Sequence, residues 1–74
     1  MKIVKIKANN IVFSVRPDEE TYSIVNNRIL FEKQHILDPT ADQLEVITAT
    51  DVPADFEPYK YCYINGSFTP NEDY

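Results

Sequence analysis

An all-β domain of short successive hairpins, packed as a small sandwich or open barrel, is the fold this sequence predicts. Three observations lead there. Asn-Gly at 65–66 and Asn-Asn at 9–10 and 26–27 each sit between strand-like runs, and Asn and Gly are the residues that tolerate the positive φ of tight hairpin turns. The runs around them alternate apolar with polar residues, the period of a half-buried strand. The composition, 43% hydrophobic with one glycine and five prolines, fits neither a flexible linker nor a disordered chain. The expected tally is about seven short strands in one domain spanning residues 1–74.

In chain order, Lys2 to Ala8 alternates, Asn9-Asn10 supplies a turn, and Ile11 to Arg16 returns. A two-residue turn would set Ala8 against Ile11, Ile6 against Phe13 and Val4 against Val15. These six apolar residues would share one face, with Lys5, Lys7, Ser14 and Arg16 on the other. Pro17-Asp18-Glu19-Glu20 reads as a turn whose acids hold it in solvent. Thr21 to His35 reads as a second hairpin around Asn26-Asn27, with Ile24 opposite Ile29, Tyr22 opposite Phe31 and Ser23 opposite Leu30.

The pattern then breaks. Asp38-Pro39 fits a helix start with Asp as N-cap, and Thr40 to Gln43 fits a capping box, so at most one short helical turn is expected near 39–43. Leu44 to Thr50 is rich in β-branched residues but alternates poorly, the mark of a strand covered on both faces. Residues 51–58 form an irregular connection from which Phe56 plugs the core. The last hairpin turns at Asn65-Gly66 and sets Tyr61 opposite Pro70, Cys62 opposite Thr69, Tyr63 opposite Phe68 and Ile64 opposite Ser67. Tyr59, Tyr61, Tyr63 and Phe68 then share the most apolar face of the chain. Rings with wet hydroxyls on an exposed strand face suit protein contacts, so these four are the candidate protein interface.

No catalytic, metal or cofactor site is expected. Cys62 and His35 are the only residues of their kinds, and nothing local brings them together as a nucleophile and base. One cysteine forms no internal disulfide, and one histidine gives no zinc cluster. Asp38 with Asp42, and Asp51 with Asp55, are pairs without further ligands, and the calcium-loop pattern is absent. Gly66 alone gives no phosphate-cradling loop. The chain holds no apolar run long enough for a membrane span, and residues 1–8 lack the apolar core of a signal peptide.

The formal charge of −5 is uneven. Residues 1–37 hold six Lys and Arg against four acids, +2. Residues 38–74 hold Lys60 against Asp38, Asp42, Glu45, Asp51, Asp55, Glu57, Glu72 and Asp73, −7. An acidic half disfavours nucleic acid, whose binding rests on phosphate neutralisation by Lys and Arg. It suits solubility, head-to-tail stacking of copies, or docking on a basic partner.

Asp51-Val52-Pro53-Ala54-Asp55-Phe56, followed by Lys60-Tyr61-Cys62-Tyr63-Ile64-Asn65-Gly66-Ser67-Phe68-Thr69-Pro70-Asn71, resembles the C-terminal end of small proteins encoded in tail modules of bacteriophages and prophages. Those often end in a VP-x-DF … KY-x-Y-x-x-G-x-F-x-x-N run after a variable β-rich body. The resemblance implies a non-enzymatic virion or tail-fibre accessory protein. Such a protein is made in the host cytoplasm, is open to incorporation in the virion, and binds other copies of itself or a tail or fibre protein. It transfers no catalytic residues. The alternative expectation is an acidic phage-encoded inhibitor that masks a basic surface of a host nucleic-acid-binding enzyme. It draws on the −7 half.

Overall fold

The computed structural model describes residues 1–74 as eight short strands and one 3-10 turn. The strands are β1 (Lys2–Ile6), β2 (Val12–Arg16), β3 (Tyr22–Val25), β4 (Arg28–Phe31), β5 (His35–Ile36), β6 (Leu44–Thr48), β7 (Tyr61–Ile64) and β8 (Ser67–Pro70). The 3-10 turn is Ala41–Gln43. They form antiparallel sheets ordered β2-β1-β6 and β3-β4-β5 and the two-stranded β7-β8. The β2-β1-β6 sheet is central. On one face, Val4 and Leu44 meet Ile29, Phe31 and Ile36 of the β3-β4-β5 sheet. On the other, Ile3 and Val12 meet Ala49, with Val52, Phe56, Tyr63 and Phe68 packed on them. Phe56 does plug the core from its connection. The β-dominated class is as expected; the arrangement is a three-layer stack.

That stacking corrects the first hairpin. Lys2 pairs with Arg16, Ile3 with Val15 and Val4 with Ser14, and the register then shifts so that Lys5 faces Val12. Phe13 is the extra residue of a bulge. The loop spans Lys7 to Asn10, closed by the Asn10 N–H to the Ile6 carbonyl (2.8 Å) and the Ile6 N–H to the Ile11 carbonyl (2.9 Å). Only Asn10 has positive φ, 63°; Asn9 instead accepts the Ile11 N–H through its Oδ1 at 3.1 Å. The alternation argument presumed one wet face. Here Ile3 and Val4, adjacent in sequence, are both 0% exposed because each face of the sheet carries its own cover. Ser14, expected on the polar face, is buried, and its hydroxyl donates to Gln34 Oε1 at 2.6 Å.

The other two hairpins hold the expected register at every pair. Asn26, Asn27, Asn65 and Gly66 all have positive φ (51°, 59°, 52° and 80°), the signature of a type I′ turn. The second hairpin continues into a third strand, β5, which pairs Ile36 with Ile29 and buries it. The stretch Leu44–Thr50 forms a strand only as far as Thr48, and its side chains serve both layers: Val46 packs on one cluster and Ile47 on the other.

Asp38 is not an N-cap. The helical residues begin at Ala41 after Thr40, whose hydroxyl makes no cap and donates to Asp42 Oδ1 at 2.6 Å. The orphan N–H groups of this turn are taken by the second hairpin instead. The Asn27 carbonyl accepts the Ala41 N–H (2.8 Å), and Asn27 Oδ1 accepts the Asp42 N–H (3.1 Å). The Asn27 amide returns a bond to Asp42 Oδ1 (2.8 Å).

Candidate functional site

The four aromatic residues singled out in the last hairpin do not form one outward face. Tyr63 and Phe68 meet edge-on at 4.8 Å between ring centroids and lie against the Ile3, Val12 and Ala49 cluster. Tyr61 sets its ring edge-on to Phe68 at 6.5 Å and donates its hydroxyl to Asp55 Oδ1 at 2.8 Å. Lys60 Nζ binds the other carboxylate oxygen at 2.9 Å. Lys60 first, and then Tyr61, hold the Asp55 carboxyl below its ordinary range, and the same contacts raise both partners. Tyr59 stands apart. Its φ of 71° ends the alternation before the strand begins, and its ring meets Phe13 edge-on at 5.5 Å on the far side of the chain. Of the four, Tyr59 alone is exposed.

The acidic turn is also not wholly in solvent. Glu20 is 6% exposed. Its Oε1 accepts from Arg16 Nε (2.9 Å) and Nη2 (2.5 Å), and its Oε2 accepts the Lys33 N–H (2.9 Å). Burial pushes this carboxyl up, but the Arg16 guanidinium, the Lys33 N–H and the two positive charges outweigh it and hold it low. Lys2 Nζ donates to the Asp18 and Glu20 carbonyls of the same turn. The centre is a structural lock between the first two hairpins. No residue type there was a signal from sequence, since Pro-Asp-Glu-Glu reads as solvated.

Cys62 and His35 belong to opposite outer layers, with the central sheet between them. Cys62 lines an open groove of about 480 Å³ with Asn9, Ile11, Thr69 and the chain end. No three His, Cys, Asp or Glu side chains gather where a metal would sit. No helix is long and apolar enough to cross a membrane.

The surface that stands out is β3. All four of its residues are exposed, and Tyr22, Ile24 and Val25 are large and apolar, with Ile24 59% exposed. β3 pairs only with β4, so its other edge is open. A two-residue turn makes Val25 and Arg28 a hydrogen-bonded pair, and the pattern repeats at Ser23 and Leu30. The next pair in that series is seen directly, as the Glu32 N–H reaches the Thr21 carbonyl at 3.3 Å. The peptide groups of Tyr22 and Ile24 therefore point outward. Other free edges are covered or guarded. β7 lies along the start of β2 through the Ile11–Cys62 bridge. β8 ends in Pro70, β5 is two residues long, and β6 carries Glu45 and buries Leu44. Sequence reasoning read β3 as half of a hairpin and did not find its exposure, because exposure depends on which strand lies beside it. No family model, curated protein or solved structure matches the chain.

Proposed function

We propose that this protein is a non-enzymatic protein–protein interaction module that works through the open edge and apolar side chains of β3, as a structural or assembly part. The observation that carries the reading is an edge strand with every residue exposed, three of them apolar, and no charge or proline to guard it. Such an edge is a template for an added strand: main-chain hydrogen bonds give affinity and alternate side chains give selectivity. On the C-terminal resemblance, the proposed setting is a bacteriophage or prophage tail, with a tail or fibre protein or another copy as partner. The reading includes no metal, cofactor, membrane or nucleic acid.

A second reading keeps its own support. All eight acids of residues 38–74 are exposed, which favours an inhibitor whose acidic half covers a basic surface of a nucleic-acid-binding enzyme. A photo-crosslinking residue placed at Ile24, and separately at Glu57, and irradiated in lysates of producing cells adjusted to low or to high salt, tests the two. Adducts at position 24 that form at both salt levels support the β3 module. Adducts confined to position 57 that form at low salt and fail to form at high salt support the acidic inhibitor. No adduct at either position overturns both.

A further inference from the structure

We infer that the occupant of the β3 edge is the β3 edge of a second copy, paired antiparallel about a two-fold axis through Ser23; this rests on the module reading above. The outward peptide groups belong to Tyr22 and Ile24, two residues apart with Ser23 between them. Antiparallel self-pairing makes Tyr22 of each copy the hydrogen-bonded partner of Ile24 in the other, so every outward N–H and carbonyl of the strand is satisfied by the same strand. Ser23 then faces Ser23 across the axis. Side chains agree with that register. Opposed residues share a face, so each Tyr22 ring covers the Ile24 of the other copy, the most exposed of the strand's large apolar residues. Tyr22 is already oriented by Phe31, 5.1 Å away between centroids.

Charge selects the same arrangement. Glu19 lies before the strand and Arg28 follows its turn; both are exposed, and neither makes an ion pair within the chain. An antiparallel pair brings the acidic end of one copy toward the basic end of the other. A parallel pair sets like against like. The result joins two β3-β4-β5 sheets into one continuous sheet, a closed two-fold contact that leaves no free β3 edge for a third copy. A strand of four residues makes a small contact, so association is of the weak, concentration-dependent class.

Disulfide trapping tests the register. In a Cys62→Ala background, Ser23→Cys places two thiols at a non-hydrogen-bonded pair, about 4.5 Å between Cα atoms, within the range that a disulfide spans. Val25→Cys is the control, because Val25 faces Thr21 of the other copy and not itself. The expected result is rapid oxidation of the Ser23→Cys protein to a covalent dimer, slow oxidation of the Val25→Cys protein, and loss of Ser23→Cys trapping when Ile24→Lys is added. Equal rates for the two cysteines overturn the register. No trapping at either, with the protein folded by circular dichroism, overturns self-pairing. In that case a crosslink from position 24 to a different protein still supports the module, whereas its absence ends both.

Discussion

Replacing Ile3 by alanine is the sharpest perturbation of the stacked architecture. Alternation from Lys5 and Lys7 puts Ile3 on a wet face, where truncation costs within about 0.5 kcal/mol. In the structure Ile3 is 0% exposed and packs with Val12 and Ala49 under the last hairpin. The change removes three carbons. At roughly 0.8 kcal/mol for each buried methylene, the transfer loss is about 2.4 kcal/mol. The cavity adds to that, so the expected cost lies in the range of about 2–5 kcal/mol. A chain of this size has a total stability of roughly 4–11 kcal/mol, by the usual value per residue, so the variant sits near the limit of folding. Ile3→Val, at about 0.5–1.5 kcal/mol, is the measurable companion. Val4→Ala reports the opposite layer, losing two carbons and about 1.6 kcal/mol before the cavity contribution. Urea unfolding followed by far-UV circular dichroism gives all three, with an unchanged slope showing that the unfolded state is the same. If Ile3→Ala costs under 0.5 kcal/mol while Val4→Ala costs several-fold more, the central sheet has one wet face and the three-layer reasoning is wrong.

Other outcomes follow from the turns and the carboxylates. Glu20, Glu32, Asp42 and Asp55 are all held below their ordinary ranges. Their contribution is therefore full above about pH 4–4.5 and is lost as pH falls through their lowered values. Lys60 and Tyr61 are raised, so theirs is full below about pH 10 and is lost as pH rises through the raised values. A Tm profile from pH 2 to 11 should show a plateau between the two declines, and Glu20→Gln should flatten part of the acid one. Gly66→Val should cost about 1–2 kcal/mol. A Cβ there meets nothing within 4 Å, so the loss is that of φ at +80° alone, and a urea midpoint equal to the parent's would reject the type I′ turn. Asn27→Gly should lower the Tm and Asn26→Gly should not, because both keep a positive φ but only Asn27 binds Asp42 through its side chain. Equal Tm values for the two would show that the clamp contributes nothing.

What the sequence revealed depended on how local the cause was. The Asn26-Asn27 and Asn65-Gly66 hairpins were legible to the residue because a two-residue turn fixes its own register. Asn9-Asn10 misled because the same dipeptide closes a longer loop when Phe13 bulges out, and the bulge answers to packing on both faces of β1. β5 was missed because Glu32 and Lys33 form its turn, between Phe31 and Gln34, without Gly, Pro or Asn. The Glu20 lock joins residues from two hairpins, and the Asn27 clamp joins a hairpin to the 3-10 turn. Neither has a local pattern to read. Of the expected aromatic face, Tyr61, Tyr63 and Phe68 follow the hairpin alternation while Tyr59 leaves it at its positive φ, and whether that face met a partner or the central sheet was decided by chain topology. The same topology left β3 bare.

Light scattering on the parent and on Ile24→Lys, over a concentration series at low and high salt, tests the self-pairing of β3 most directly. The account predicts a parent mass that rises from 8.6 kDa toward twice that value with concentration at both salt levels, and a variant that stays at the lower mass with an unchanged far-UV spectrum. A parent that remains monomeric throughout, or a variant that associates as the parent does, would contradict it.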